Sequence, residues 1–243
     1  MPMDPRLDAR RRQWEQKPVL REVYADLYRR MAAVLVSGPT LEIGGGSGNL
    51  KAYAPEVYST DLLEAPWLDA IADAQALPFM PSSFDNIVLF DVLHHLPRPR
   101  AFFNEAARVL RKGGRIIMVE PAITPLSGVF YRLLHPEPVD LNVDPLADPE
   151  EGKVQRDAFE ANQAVPTLLF RRRHSEFQQA FPQFKLRETS FLSLLTYPLS
   201  GGFRSWSLIP AGAVPALLRL EDALLPLLGP LMAFRMFVVL ERV

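Results

Sequence analysis

The chain has 243 residues, of which 48% are hydrophobic, so it can bury the core of one large domain and does not resemble a disordered chain. Its formal net charge of -1 gives no sign of a nucleic-acid-binding surface, so no nucleic-acid partner is expected. The absence of cysteine excludes disulfides, thiol catalysis and thiolate metal ligands, and it fits a cytoplasmic protein. Residues 1–17 lack the apolar stretch that a signal peptide needs.

Two helices are predicted at the N-terminus. Residues 6–16 are mostly arginine, acidic residues and glutamine, a composition typical of a solvated helix. Residues 19–36 carry an apolar stripe at helical spacing, with Tyr24 and Tyr28 one turn apart. We interpret residues 1–37 as an N-terminal helical cap.

A strand followed at once by a glycine cluster comes next. Residues 40–43 are apolar except for Glu42, and the glycines after them are Gly44, Gly45, Gly46 and Gly48. Glycine lets a ligand approach the main chain, and a glycine turn after a buried strand is how α/β proteins hold nucleotide-like ligands. The dinucleotide pattern G-x-G-x-x-G fails because its third glycine would fall on Asn49, whereas E-x-G-x-G-x-G fits.

Two more short strands are predicted to end in acidic residues. Residues 57–60 lead to Asp61, and residues 71–72 lead to Asp73. In nucleotide-binding α/β units, an acidic residue about 20 residues after the glycine turn binds a ribose hydroxyl. Asp61 holds that place. Either aspartate alone could be an ordinary turn residue, but their order behind the glycine cluster favours a cofactor site.

Residues 84–96 contain a near-continuous apolar run, which is typical of a central parallel strand buried on both faces. The strand is expected to end at Asp91, and His94 and His95 follow. Open α/β sheets place their ligands at the carboxyl ends of such strands. These three residues are therefore candidates for catalysis.

A helix and another strand complete this half of the chain. Proline at position 97 or 99 opens the helix, and a Lys-Gly-Gly sequence at residues 112–114 ends it. Residues 115–120 read as the next strand, which brings Glu120 to the same edge of the sheet.

The glycine motif, together with residues 84–96 and 109–121, resembles the class I S-adenosylmethionine (SAM)-dependent methyltransferases, with a type 11-like motif pattern. The resemblance implies an α/β fold, in which a Rossmann-like, doubly wound, mostly parallel seven-stranded sheet has an antiparallel last strand. It implies that residues 38–121 form the SAM-binding core and release S-adenosylhomocysteine. The cofactor-binding residues that it implies are Glu42, Gly44, Gly45, Gly46, Gly48, Asp61, Leu62, Asp73, Ala74 and Asp91. It also implies that the helix of Tyr24 and Tyr28 lies over the cofactor.

The second half departs from the family pattern. Residues 122–170 are too many for a simple crossover, so we interpret them as an inserted lid and substrate region with a helix at 126–134. Its acidic residues lack the spacing of a calcium loop, and no metal site is expected from them: Asp140, Asp144, Asp148, Glu150 and Glu151. Residues 171–243 are expected to complete the core with strands at 184–197 and 234–241.

A leucine-rich stretch at residues 209–232 interrupts that last segment. Charged residues in its middle and the interruptions at Pro215, Pro226 and Pro230 argue against a transmembrane helix. One or two amphipathic helices are predicted instead, and a peripheral membrane contact is the alternative.

The sequence therefore predicts a SAM-dependent methyltransferase with a small-molecule acceptor, with amphipathic, lipid-linked or saccharide intermediates as the candidates. The alternatives are a non-catalytic SAM-binding or membrane-surface protein and, less favoured, an NAD-dependent oxidoreductase. For a hydroxyl acceptor, His94 or His95 is the expected base, oriented by Asp91 or Glu120, and His135 is a base that the lid could supply. An adjacent pair should not face the same way, so one histidine is expected to be structural, and the sequence leaves open which.

Overall fold

A computed structural model describes residues 4–147 and 159–243. Its strands are β1 (Thr40–Ile43), β2 (Val57–Asp61), β3 (Ala70–Ile71), β4 (Phe84–Phe90), β5 (Leu110–Pro121), β6 (Phe184–Leu192) and β7 (Arg235–Arg242). They form one sheet in the order β3-β2-β1-β4-β5-β7-β6. The first five strands are parallel, and β7 runs antiparallel to both of its neighbours. The predicted Rossmann-like sheet with an antiparallel last strand is confirmed.

Helices cover both faces of this sheet. They are α1 (Pro5–Gln16), α2 (Pro18–Ala33), α3 (Pro99–Val109), α4 (Pro125–Leu134), α5 (Val165–Thr167), α6 (His174–Ala180), α7 (Thr196–Ser200) and α8 (Val214–Met232). A π-helical turn, Leu168–Arg172, joins α5 to α6, and 3-10 turns lie at Leu50–Ala52, Leu93–His95 and Ala211–Ala213. No helix in the described ranges is long and apolar enough to cross a membrane.

The central strands are buried on both faces, which explains their unbroken apolar sequence. Successive side chains of a strand point to opposite faces, so Ile87 and Leu89 pack in one hydrophobic cluster and Val88 packs in the other. The first cluster joins the sheet to α3 and α6 through buried phenylalanines. The second joins it to α2, whose Tyr24 and Tyr28 are buried there. The apolar stripe of α2 therefore packs in the core.

Three predicted elements have different bounds in the structure. The sequence also predicts a short helix over residues 48–54, after the glycine cluster, and the structure has only the 3-10 turn Leu50–Ala52 there. The strand expected at 71–73 is a two-residue bridge, Ala70–Ile71. The strand expected at 115–120 begins earlier, at Leu110, because a register shift lets the chain pair with β4 before the regular ladder.

The strand expected at 184–197 ends at Leu192, and Tyr197 lies in α7. The cause is the buried carboxylate of Glu221, which accepts hydrogen bonds from the backbone N–H groups of Leu194, Leu195 and Thr196. These bonds turn the chain out of the sheet and satisfy the amides at the start of α7. The sequence could not show this because Glu221 stands in α8, the single helix of the leucine-rich stretch.

The region predicted as a lid contributes to the core where the structure describes it. Leu169 and Phe170 pack in the first hydrophobic cluster, and α4 begins with a capping box formed by Thr124 and Ser127. Asp140 and Asp144 accept hydrogen bonds from backbone amides two residues on, as turn residues do. Asp148, Glu150 and Glu151 lie outside the described residues. The division into a cap, a cofactor core, a lid and a C-terminal part stays a prediction.

Candidate cofactor and acceptor site

The glycine loop after β1 is built for close approach by a ligand. Gly44, Gly46 and Gly48 have φ values of 71°, 49° and 75°, a region that favours glycine. A Cβ added at Gly44 would lie 2.2 Å from the Val92 side chain, so this position also needs glycine for packing. A Cβ at Gly46 would have no neighbour closer than 3.9 Å. Gly46 therefore faces open space at the carboxyl edge of the sheet.

Two aspartates stabilise the loops around the glycine cluster by accepting backbone hydrogen bonds. The Asp61 carboxylate accepts hydrogen bonds from the Gly46 N–H at 2.9 Å and the Leu63 N–H at 3.0 Å. Asp73 accepts a 2.8 Å hydrogen bond from the Gln75 N–H. Asp61 therefore ties the glycine loop to the end of β2 and still has lone pairs for a ligand hydroxyl.

Glu42 lies beneath the glycine loop and is almost fully buried. Its carboxylate accepts a hydrogen bond from the Ser59 hydroxyl. Burial raises the pKa of Glu42 to about 7, although the bond from Ser59 opposes the shift. Near neutral pH, this side chain can be protonated or charged, depending on what binds above it.

These residues line a first cavity of about 290 Å³, which we call the cofactor cavity. Nine of the ten residues expected to bind the cofactor border it: Glu42, Gly44, Gly45, Gly46, Asp61, Leu62, Asp73, Ala74 and Asp91. Gly48 does not, because it packs against the Trp67 ring. Tyr24 and Tyr28, on the helix expected to lie over the cofactor, line it as well, as does Phe90, which was not predicted to do so.

Asp91 follows β4 with a φ of 56° and forms an ion pair with Arg235. Arg235 begins β7, is buried, and holds its guanidinium 4.2 Å from the centroid of the Tyr197 ring. No local sequence pattern marks this pairing, because Arg235 stands 144 residues after Asp91. The pair fixes the carboxylate at the edge of the cofactor cavity.

His94 and His95 lie in different environments although their ring centroids are only 4.2 Å apart. His94 is buried, and its Nδ1 lies 2.6 Å from Glu120 Oε2. Burial alone would lower the pKa of His94, but Glu120 and then Glu137 raise it to about 9. Burial and the charge of His94 lower the pKa of His95 to about 4.

Glu120 is the anchor of this turn. It is completely buried, and its second oxygen accepts hydrogen bonds from the Val92 N–H at 2.9 Å and the Leu93 N–H at 2.7 Å. A carboxylate with three donors is well satisfied in a buried place. Glu120 therefore orients His94, as expected from its place at the end of β5. Asp91 instead pairs with Arg235.

A second cavity of about 330 Å³, which we call the acceptor cavity, lies beside the first. Its walls are largely aromatic: Tyr24, Phe130, Tyr131, Tyr197, Phe203 and Trp206. Its polar side includes both histidines of the turn, with His135, Glu137 and Gln163. Five residues line both cavities, and these are Arg10, Tyr24, Asp91, His95 and Phe203. The two cavities are thus neighbours with a common wall.

Comparison with known proteins agrees with this geometry. Residues 41–118 match a family model described as a methyltransferase domain. The 27-O-demethylrifamycin SV methyltransferase of Amycolatopsis mediterranei (strain S699) is 36% identical over 105 residues, which is 43% of this chain and 32% of that protein. The ubiquinone/menaquinone biosynthesis C-methyltransferase UbiE of Dinoroseobacter shibae is 30% identical over 132 residues, or 45% of this chain and 53% of that protein.

The fold has solved counterparts as well. A SAM-dependent methyltransferase of Thermotoga maritima aligns with a TM-score of 0.53 over 95% of this chain and 93% of that one, at 16% identity. On the sheet order and the family match, residues 41–118 are a methyltransferase domain, and the chain has the fold of the class I SAM-dependent methyltransferases. SAM is the cofactor of that family. The chain spans about a third and about a half of the two relatives named above, so their reactions do not transfer to it directly.

Proposed function

We propose that this chain transfers a methyl group from SAM, bound in the cofactor cavity, to a small molecule in the acceptor cavity. The observation that supports this most is the wall that the two cavities share, formed in part by Tyr24, Asp91 and His95. Methyl transfer is an in-line displacement from an already activated sulfonium. The protein's main task is to bring donor and acceptor within about 3–3.5 Å of each other.

The shared wall also suits the charge of the cofactor. The Tyr24 ring stacks on Phe90 with centroids 5.0 Å apart and meets Phe203 edge-on at 5.5 Å. Aromatic faces attract cations, and the sulfonium carries a positive charge. Asp91 is already paired with Arg235, so its charge is compensated. It therefore helps to shape the shared wall and does not add a net negative charge beside the sulfonium.

The finer proposal is an amphipathic acceptor that carries a hydroxyl group. Six aromatic side chains line the acceptor cavity, and His94, Glu137 and Gln163 add polar groups to it. A ligand with an apolar body and a polar reacting end matches that combination. Lipid-linked and saccharide intermediates are the acceptor classes to test first.

For a hydroxyl acceptor, we assign the base to His95, with His94 as the alternative. The Nδ1 of His95 lies 3.2 Å from the backbone oxygen of Glu160, which favours the tautomer that leaves Nε2 free to accept a proton. A positioned base contributes about 10²–10⁴-fold. Replacing it with alanine should lower turnover by that factor and leave SAM affinity unchanged. If His94→Ala and His95→Ala both kept full turnover, the base would be His135 or the acceptor would be a nitrogen or sulfur.

The reaction can be tested without knowing the acceptor. The protein is incubated with SAM carrying an isotope-labelled methyl group and with a small-molecule extract, separated into lipid and water-soluble fractions. We expect label in one small-molecule fraction and none with the Gly46→Val variant. Cofactor binding without label in any fraction would favour the non-catalytic alternative, and binding of NAD in place of SAM would favour the oxidoreductase.

A further inference from the structure

Three side chains on the polar side of the acceptor cavity are arranged as metal ligands are. His94, His95 and Glu137 each offer one ligand atom, and these atoms all lie within 4.8 Å of one another. His94 Nε2 and Glu137 Oε2 are 3.6 Å apart. Two ligands of a tetrahedral zinc ion, each about 2.0–2.1 Å from the metal, stand about 3.4 Å apart. The group needs only a modest contraction to close around an ion.

The other ring nitrogen of each histidine is already held by an oxygen. His94 Nδ1 lies 2.6 Å from the Glu120 carboxylate, and His95 Nδ1 lies 3.2 Å from the backbone oxygen of Glu160. Both oxygens can only accept, so each Nδ1 is the donor. Histidines that bind metals almost always donate their second N–H to a carboxylate or a backbone carbonyl in this way. Here both histidines, adjacent in the chain, have such a partner.

A fourth side chain, Gln163, adds an independent observation. It is only 3% exposed, lines the acceptor cavity, and donates its amide N–H to Glu137. Its Oε1 atom is buried and has no hydrogen-bond partner within residues 4–147 and 159–243. Leaving a buried oxygen without a hydrogen-bond partner is unfavourable, so this atom is expected to have a ligand. A metal ion or a metal-bound water beside Glu137 would be a partner for the Oε1 atom of Gln163.

We propose that His94, His95 and Glu137 bind a divalent transition-metal ion of the zinc type, with a further coordination position open to the acceptor cavity. Imidazole nitrogen suits zinc and its neighbours, whereas magnesium and calcium prefer a shell of oxygen ligands. The sequence predicted no metal site, because Glu137 is remote from the histidine pair and belongs to no motif.

An ion bound by these three side chains could activate an acceptor in the acceptor cavity. The open position of a catalytic zinc site binds an oxygen and lowers its pKa, which would prepare a hydroxyl acceptor for methylation. This use rests on the proposed function, and it would replace His95 as the base, because the Nε2 atom of His95 would then bind the ion. Binding of the ion does not rest on the proposed function, and the two can fail separately.

The test is metal binding by the purified, metal-free chain. The protein is freed of metal with a chelator and titrated by calorimetry with Zn²⁺, and with Co²⁺ followed by visible absorption. We expect one ion per chain for both metals and no comparable heat with Mg²⁺. His174→Ala, which removes a histidine outside the cluster, is the matched control and should bind Zn²⁺ as the unaltered protein does.

Variants of the cluster identify the ligands. Glu120→Gln alters a positioning residue and should weaken Zn²⁺ binding by roughly 10–100-fold. His95→Ala and Glu137→Gln remove ligands and should weaken it further. The far-UV circular dichroism spectrum of each variant reports that the fold is intact.

Two results would overturn the proposal: no stoichiometric Zn²⁺ binding by the folded metal-free protein, or binding that His95→Ala and Glu137→Gln do not weaken. If S-adenosylhomocysteine still binds and methyl transfer occurs in either case, the proposed function stands without the metal. If Zn²⁺ binds as expected and no methyl transfer is found, the metal site stands and the proposed function fails.

Discussion

The two cavities that meet at Asp91 and His95 are built by the chain in different ways. Apart from Leu7, Arg10, Tyr24, Tyr28, Phe159 and Phe203, the cofactor cavity is lined by residues between positions 42 and 98. The acceptor cavity takes residues from position 10 to position 235. One site is the product of consecutive strand ends and loops, and the other is assembled from distant elements. Substitutions should therefore separate the two functions, with cofactor binding depending on the local segment.

The largest effect is expected at Gly46. Gly46→Val places a branched side chain at a φ of 49° and into the space where the cofactor should lie. We expect S-adenosylhomocysteine binding to be abolished while the far-UV circular dichroism spectrum is retained. Gly212→Val is the control, because a Cβ there meets nothing within 4 Å. Calorimetry that found equal affinity in a folded Gly46→Val protein would remove the cofactor assignment.

The next largest effect is expected at the ion pair between Asp91 and Arg235, where the two cavities meet. Arg235→Met leaves Asp91 without its partner in a largely buried place, and breaking such a pair costs about 3–5 kcal/mol. Urea unfolding should show this loss for Arg235→Met. The double variant with Asp91→Asn should recover part of it, because no charge is then left unpaired. Equal stability of the single and double variants would mean that an unpaired Asp91 carboxylate costs no stability at this place.

The cofactor cavity could be predicted from the sequence better than the acceptor cavity, because one local segment supplies most of its residues. Glu42, the glycine loop, Asp61 and Asp73 lie in order along consecutive β-α units, so spacing alone brings them to one edge of the sheet. Arg235, Glu137 and Gln163 reach the acceptor cavity only through tertiary packing, and no local pattern marks them. The early end of β6 has the same origin, since Glu221 acts on it from another helix.

A smaller effect is expected at Asp61. Its carboxylate should accept hydrogen bonds from the ribose hydroxyls, and losing a charged acceptor costs about 1.5–3 kcal/mol of affinity. Asp61→Asn should therefore weaken S-adenosylhomocysteine binding by roughly 10–150-fold. Asp85→Asn, which alters an exposed ion pair with Arg111, should leave it unchanged. A loss below twofold for Asp61→Asn would show that another residue holds the ribose.

The smallest effect is a pH dependence that stems from Glu42. Burial raises its pKa from the usual 4.5 to about 7, so the folded protein holds a proton that the unfolded chain releases at lower pH. This contribution to stability is full below pH 4.5 and is lost as the pH rises through 7. The free energy of unfolding should fall by about 1–3 kcal/mol over that interval. Glu42→Gln should remove this pH dependence. If the free energy of unfolding of that variant still fell with pH in the same way, the pH dependence would come from another group.

In the proposed reaction, the cofactor's sulfur faces the acceptor cavity across the shared wall. A crystal structure with S-adenosylhomocysteine bound would show where the sulfur lies. We expect the ribose at Asp61, the adenine beside Asp73 and Ala74, and the sulfur directed toward Tyr24 and His95. A cofactor bound outside the glycine loop, or a sulfur directed away from the acceptor cavity, would contradict the account.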